Sequence, residues 1–553
     1  VRSSIVNRPN ILWISTHDIN PHLGTYAGVW PGAERARTPN LDRLAAHGAR
    51  FDRAYASAPV CAPSRSAVMT GCHPTSIGTM HMRSNAVLPD EVQLLPEILR
   101  EAGYYTTNNW FRDFQTEAPG TAFDDDSNSS HWRDRPEGAR FFAAFHGLIT
   151  HESQIYLDPE ELREATPHVA EADRCDPSAV TLPPYHPDTE TFRRAWANYF
   201  DLIAEMDHWV GTILDQLEED GLAESTIVVF WSDHGAGFPG HKRWAGEAGL
   251  RVPLIVRWPG RLEPGAVAEP VGLVSLAPTM LEMCGLDIPS WMQAGPLLDR
   301  TGARRETPPH VFGGRDRMDE QEDTVRTVRE GRFRYVRNLH PDRPPMQHCH
   351  YPDALATWAE LRELAFAEAT QRGSGDQPDH LTEAQRTLVA PRKPAELLFD
   401  TEADPHEMTD LAGDPRHRQD LERLREALDT WTTDHGDLGL LEEAELLESW
   451  RPCGRLQQTG TPRLGEDGRL VCDTPGTRIG WSSAPPAPGS APRQARLMGT
   501  ASEGSWQLAS TYRGQRPAWV RAWKPGFDPS ETLHLPAQDP SPVGTEEEPS
   551  ASA

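Results

Sequence analysis

Three short apolar runs, each closing on residues able to bind a metal or move a proton, constrain this chain most. Ile11-Leu12-Trp13-Ile14 runs into Thr16-His17-Asp18, and Phe141 to Phe145 leads towards Thr150-His151. Ile227-Val228-Val229-Phe230-Trp231 precedes Ser232-Asp233-His234-Gly235. Four or five apolar residues bounded by polar ones suit buried strands of a parallel sheet. Helical patterns alternate with them. Thr38-Pro39 opens one carrying Leu41, Leu44 and Ala45 and closed by Gly48. A longer one runs from about Thr189 to Leu217, with Ile203, Met206, Val210, Ile213 and Leu217 on one stripe. This alternation predicts an α/β fold whose ligands sit beyond the carboxyl ends of the strands, where all three runs put their polar residues.

The pattern changes after about Pro308. Val325 to Val336 reads as a hairpin around Glu330-Gly331, with Phe333 and Tyr335 alternating with arginines. Asp414-Pro415 opens a helix with Leu421, Leu424, Leu428 and Trp431 on one face. From about Arg451 the chain is rich in glycine and proline, and only short strand signals remain, at Arg478-Ile479-Gly480-Trp481 and at Trp519-Val520 near Trp523. The expected organisation is a large α/β domain over 1–308, a smaller α+β subdomain over 309–450, a small all-β appendage over 451–539 and a disordered tail over 540–553. No internal repeat is visible.

Composition narrows the class. The 553 residues carry 54 Lys+Arg against 82 Asp+Glu, a formal charge of −28. A field of that sign repels nucleic acid and anionic membrane surfaces. No apolar run approaches the roughly 18 residues of a membrane helix. Seven cysteines in this length make no disulfide scaffold, and their odd number suits a reducing compartment. Val1 to Pro9 holds no signal-peptide apolar segment. A cytoplasmic enzyme with neither nucleic-acid nor membrane partners is the expectation.

The stretch that carries chemistry is Cys61-Ala62-Pro63-Ser64-Arg65, preceded by Ala58-Pro59-Val60. Pro63 is suited to open a helix, with position 61 just before its amino end. Free amides and the helix dipole there favour an anion and a lowered thiol pKa. Arg65 adds a planar cation suited to oxyanions. Cys61 is thus a candidate nucleophile in an anion-binding nest; the competing reading is a buried structural cysteine.

Cys61, Pro63, Ser64 and Arg65 resemble the C-x-P-S-R signature of the type I sulfatases, the formylglycine-dependent family of the alkaline phosphatase superfamily. The resemblance extends over roughly residues 8 to 435 in the family's order. Ile11 to Asp18 and Thr38 to Ala45 match the opening strand, acidic pair and T-P-N-L-D-x-L-A block. Ser232 to Gly235, His241-Lys242-Arg243 and Val252 to Val256 match the later one, and Glu396 to Glu407 the carboxy-terminal E-L-Y-D-x-x-x-D-P-x-E block. The resemblance implies a large alkaline-phosphatase-like domain with a mostly parallel central sheet flanked by helices. It also implies hydrolysis of a sulfate ester or sulfamate of a carbohydrate. A maturation enzyme would oxidise Cys61 to formylglycine, whose hydrate attacks sulfur while its second hydroxyl lets sulfate leave as the aldehyde re-forms. Asp18, Asp233 and His234, with position 61, match the ligands of a divalent cation, usually calcium and sometimes manganese or magnesium. Arg65 matches the residue that holds the formylglycine hydroxyl, and Lys242 the one that contacts the sulfate and its bridging oxygen. His151 matches the acid for the departing oxygen. Such chemistry needs cations to spread charge on the transferring group and an acid for a poor leaving group.

Two positions depart from the family pattern. His17 stands where a carboxylate is common, which weakens calcium's claim and brings manganese forward; it is either a ligand or a support for one. After Gly103-Tyr104-Tyr105-Thr106, Phe111-Arg112-Asp113 replaces a Lys-x-His element, with Arg112 substituting for the substrate-binding cation and Asp113 for the base. Gly78 to Ser84 resembles the branch of bacterial glycan sulfatases and heparan N-sulfatases. There His81 and Arg83 are candidate substrate contacts, against a loop packed by Met80 and Met82. His348-Cys349-His350 reads as a loop, and Asp124-Asp125-Asp126 as a solvated surface turn. The −28 charge leaves substrate discrimination to a local pocket, so the expected partner is a small sulfated saccharide or a glycan chain end. The alternatives are a phosphonate monoester or phosphodiester hydrolase on the same fold and a catalytically silent sulfated-glycan binder.

Overall fold

The computed structural model describes residues 8–371, 380–486, 506–514 and 518–536; the tail expected from 540 lies outside them. The three apolar runs become neighbouring central strands, with Asn10–Thr16 between Phe141–Gly147 and Thr226–Ser232. They are parallel and level at their carboxyl ends, where Thr16 sits opposite both Gly147 and Ser232. Successive residues feed two cores. Ile11, Trp13, Phe142, Ala144, Val229 and Trp231 face one, while Leu12, Ile14, Ala143, Phe145, Val228 and Phe230 face the other. That explains the missing polar alternation, since a strand covered on both faces needs an apolar residue at nearly every position.

The whole sheet has eight strands in the order Gly265–Val267, Ala49–Phe51, Leu254–Arg257, Thr226–Ser232, Asn10–Thr16, Phe141–Gly147, Tyr105–Asn109, Asp125–Asp126. Leu254–Arg257 alone runs against its neighbours, so the sheet is mostly parallel, as expected. Helix Glu190–Glu219, capped by the Thr189 hydroxyl accepting the Phe192 N–H, covers the Leu12 face through Ile203, Met206, Val210 and Leu217. The opposite face is covered by Cys61–Thr70, Leu95–Glu101 and Leu276–Met283. Burying each large side chain here contributes about 1.5–3 kcal/mol.

A second sheet is antiparallel, in the order His310–Arg315, Val325–Glu330, Phe333–Asn338, Glu396–Asp400, and its middle pair is the expected hairpin. Helix Arg418–His435 lays Leu421, Leu424, Leu428 and Trp431 against Val328, Tyr335 and Leu398. Asp414-Pro415 opens a single 3-10 turn ahead of that helix rather than the helix itself. A further four-stranded sheet pairs the two late strand signals, with Trp481 opposite Val520. It docks on the first part of the chain, where Arg478 pairs with Glu97 at 2.9 Å and Trp523 and Trp506 close over Gly120.

The Asp124-Asp125-Asp126 run is not a solvated turn. Asp124 accepts the Thr106 N–H at 2.8 Å and pairs with Arg100 at 2.7 Å. Asp126, on the edge strand, accepts from Asn108 Nδ2 at 2.9 Å and pairs with Arg112. These partners lie 14 to 24 residues away in sequence, so a local reading of the charge run does not find them.

Candidate active site

The carboxyl ends of the central strands deliver Asp18, His151-Glu152 and Asp233-His234 to one point, and helix Cys61–Thr70 presents its first residue to it. Cys61 Sγ lies 3.2 Å from His234 Nε2 and 4.0 Å from Asp18 Oδ1. Asp18 holds a left-handed φ of 52°, a conformation aspartate adopts more readily than most residues. Its Oδ2 accepts the Lys242 ammonium and the Glu152 N–H, each at 2.8 Å. Asp233 Oδ1 accepts the N–H groups of Asp18 and His234 at 3.1 and 3.0 Å, and Oδ2 accepts Arg65 Nε at 3.1 Å. Burial opposes the Asp233 charge, but its cationic surroundings, with Arg65 in direct contact at 3.1 Å, outweigh it and hold the carboxyl far below its usual range. Gly235 is required by close approach, since a Cβ there would lie 1.9 Å from the Ala248 carbonyl oxygen.

His234 Nδ1 donates to the Gly235 carbonyl at 2.9 Å, which leaves a lone pair on Nε2 of the neutral ring; Nε2 accepts the Cys61 thiol at 3.2 Å and lies 3.2 Å from a second acceptor, Asp18 Oδ1. Two buried acceptors face to face, His234 Nε2 and Asp18 Oδ1, repel one another unless a cation lies between them. The donor set therefore fits a divalent ion held by Asp18, Asp233, His234 and residue 61. His17, Asp18, Cys61 and Asp233 likewise offer ligand atoms within 4.8 Å of one another. His17 Nε2, however, accepts Arg65 Nη2 at 2.8 Å, which leaves the proton on Nδ1, 3.3 Å from Asp233 Oδ2. Burial first, then Arg65, holds this ring neutral by pushing its pKa well below the ordinary value.

Arg65 is fully buried, and its five N–H donors all face acceptors. Besides Asp233 and His17 these are Ser15 Oγ and His146 Nδ1 at 3.3 Å and the Thr16 carbonyl at 3.4 Å. Phe111 and Trp231 lie against the guanidinium at 5.4 and 5.6 Å. Lys242 Nζ spends one donor on Asp18 and one on Glu152 Oε1 at 2.9 Å. Burial disfavours the ammonium, but Asp18, Cys61 and Glu152 overcome it and raise its pKa well above the usual value. For Cys61 the balance reverses the sequence expectation. Burial outweighs the Lys242 charge and pushes the thiol up, because the helix terminus is closed off from water and faces two carboxylates.

His151 heads the 3-10 turn Glu152–Gln154, its Nδ1 accepting the Ser153 N–H at 3.4 Å, so the neutral ring carries its proton on Nε2. Asp113, at φ 50°, is buried; burial raises its pKa against the opposing charges of Arg83 and Arg65. Arg112 instead turns to the sheet edge and Asp126. His81 is buried, with Nδ1 accepting the Arg317 N–H at 3.3 Å, and Met80 and Met82 pack its loop, while Arg83 is exposed. His348 pairs with Asp353 at 2.9 Å, and among the described residues His348–His350 enters no metal-binding group.

Sequence reasoning missed Glu152, Arg243, His146 and Ser15. Glu152 anchors Lys242 and takes a bidentate contact from Arg243 at 2.9 and 3.1 Å. Ser15 donates to His146 Nδ1 at 2.5 Å, a pairing fixed by strand register. The position of Glu152 directly after His151 was the one available signal.

Comparison with known proteins agrees with this geometry. The family model described as Sulfatase matches residues 9–286. An ulvan-active sulfatase of Formosa agariphila is 34% identical over 518 residues, 86% of this chain and 84% of that protein. The chain belongs to the sulfatase family. This sulfatase is also 31% identical to human N-acetylgalactosamine-6-sulfatase over 51% of its own length and 63% of that protein. Among solved structures, the phosphonate monoester hydrolase from Silicibacter pomeroyi aligns with a TM-score of 0.56 at 17% identity, covering 84% of this chain and 99% of that one. A protein solved with its substrate D-glucosamine-2-N,6-O-disulfate aligns at 0.52, also 17% identical, covering 79% and 100%. At these identities the structural likeness concerns the fold, which is alkaline-phosphatase-like. The sulfatase is a sulfuric ester hydrolase, and no helix among its described residues is long and apolar enough to cross a membrane.

Proposed function

We propose that this sulfatase cleaves a sulfate ester or sulfamate on a small saccharide or glycan chain end, using position 61 after its oxidation to formylglycine by a maturation enzyme. The observation that carries the reading is the convergence of Asp18, Asp233, His234 and Cys61, with His234 Nε2 facing Asp18 Oδ1, beside the Lys242 ammonium. Asp18, Asp233, His234 and residue 61 would hold a divalent ion, calcium on this oxygen-rich set, with manganese and magnesium as competitors. When bound, the ion and the formylglycine hydrate supply charge neutralisation on the sulfate and a hydroxyl nucleophile.

The chain's own residues supply the rest. Lys242 keeps one N–H for a sulfate oxygen after serving Asp18 and Glu152. His151 directs Nε2, the nitrogen left by the Ser153 contact, at the departing oxygen, which its imidazolium form protonates, returning the ring to neutral. Asp113, kept protonatable by its burial, accepts the hydroxyl proton as sulfate leaves. Arg65 acts through Asp233, whose carboxylate it orients, and His17 acts through Arg65, whose Nη2 it accepts. Relatives named for ulvan and for N-acetylgalactosamine 6-sulfate support a carbohydrate substrate. The seven unpaired cysteines support a reducing, cytoplasmic setting.

Sulfate release from sulfated mono- and disaccharides, followed by ion chromatography beside turnover of nitrophenyl sulfate and a phenyl phosphonate ester, tests this reading. The sulfate esters are expected to be the better substrates. Preference for the phosphonate would favour the phosphonate hydrolase alternative, and saccharide binding without release the silent binder.

A further inference from the structure

Arg83 stands near the candidate site, its loop anchored through Met82 on Val60 at the start of the nucleophile's helix. Its guanidinium is exposed and makes no hydrogen bond or ion pair among the described residues. Nearby Arg65, Arg112, Arg243 and Arg317 are each paired, with Asp233, Asp126, Glu152 and Glu443. A solvated arginine on a loose loop would need no explanation, but this loop is held. Arg83 has a left-handed φ of 58°, which in a non-glycine residue persists only where the surroundings over-determine it.

Gln115, itself at φ 65°, does much of the holding. Its Oε1 accepts the Arg83 N–H at 2.6 Å, and its Nε2 donates to the carbonyls of Thr79, at 3.3 Å, and His81. From the other side, Arg317 exchanges backbone and side-chain hydrogen bonds with Met82, both at 3.0 Å. Met82 packs on Val60, the residue before Cys61, so the loop is anchored at the start of the nucleophile's own helix. Asp113 feels Arg83 and then Arg65 as its main opposing cations, so Arg83 and the buried cluster flank one carboxylate.

We propose that Arg83 is a second anion subsite, binding a carboxylate or a further sulfate on the saccharide whose sulfate is cleaved at position 61. This rests on the sulfatase reading of the site. A guanidinium fork matches the paired oxygens of either group. In a molecule of formal charge −28, an anionic saccharide must be drawn in by fixed local cations. Gln115 is a positioning residue that sets where the fork points.

The test uses the full, modified, metal-loaded chain and four substrates: nitrophenyl sulfate, a disaccharide with one sulfate and no other anion, the same disaccharide carrying a uronic carboxylate, and one carrying a second sulfate. Arg83→Ala is expected to lower kcat/KM on a doubly anionic disaccharide at least tenfold more than on nitrophenyl sulfate, chiefly through KM. Arg83→Lys should recover part of that loss, and Gln115→Ala should show the same selective pattern. Whichever doubly anionic substrate suffers identifies the anion as carboxylate or sulfate. Equal losses on all four, or none on either doubly anionic disaccharide, overturn the subsite and leave the sulfatase reading standing. A wild-type protein that releases sulfate from none of the four overturns both.

Discussion

At the residue scale, chemistry is decided by which atom of each side chain is left over once its neighbours are satisfied. His234 spends Nδ1 on the Gly235 carbonyl and keeps a lone pair for the site. His17 spends Nε2 on Arg65 and keeps only a proton on Nδ1, which lies 3.3 Å from Asp233 Oδ2 without hydrogen-bonding to it. The two histidines stand next to the same carboxylate, yet one is suited to bind a metal and the other to brace a ligand. His17→Ala should therefore weaken divalent-metal affinity about 10- to 100-fold without abolishing it, read as a shift in the metal concentration that raises the melting temperature. Complete loss of that metal response would make His17 a direct ligand. The motif Cys61-x-Pro-Ser-Arg65 and the strand-end pairs were legible because they are local. Glu152, His146 and the elevated Cys61 thiol were not, because they depend on which strand lies next to which and on how completely the helix start is buried.

At the element scale, the parallel core was readable because burial on both faces imposes uniform apolar runs, and the long helix because its stripe repeats over many turns. The docking of the later sheet on the first was not, since a buried ion network carries it. Glu247 Oε1 takes Arg329 at 2.9 Å and Arg334 at 2.6 Å, while its backbone N–H donates to Glu407 at 2.8 Å. Burial, opposed by Arg334, raises the Glu407 pKa to about 7. A raised carboxyl pKa means the folded state binds the proton better than the unfolded one. Its stabilising effect is full below the ordinary carboxyl range and fades as pH rises through about 7. Glu407→Gln should flatten the stability–pH curve between pH 4.5 and about 7 by on the order of 1–2 kcal/mol, measured by denaturant melts across that window; an unchanged slope would exclude Glu407 as its source. On helix Arg418–His435, which covers this sheet, Leu424 is fully buried. Leu424→Ala should cost about 2–5 kcal/mol, with the unfolding midpoint as readout.

At the scale of the whole molecule, a net acidic chain carries a site that gathers Arg65, Lys242 and His151. A formal charge of −28 disfavours long polyanions, and the proposed site would take a single sulfated end. Across a series of sulfated oligosaccharides sharing one terminal residue, kcat/KM should therefore stay level or fall with length at low salt. A steady rise with length would point to an extended groove instead. The central claim, that position 61 in its modified form is the reacting group, is tested most directly by measuring sulfate release from one cleavable sulfated saccharide by wild-type protein and by Cys61→Ala, with the wild-type peptide containing residue 61 weighed by mass spectrometry. The account predicts formylglycine in the wild-type peptide and at least a thousandfold loss of release in the variant, on the order of 4 kcal/mol of transition-state stabilisation. An unmodified thiol in active protein, or full activity in Cys61→Ala, would contradict it.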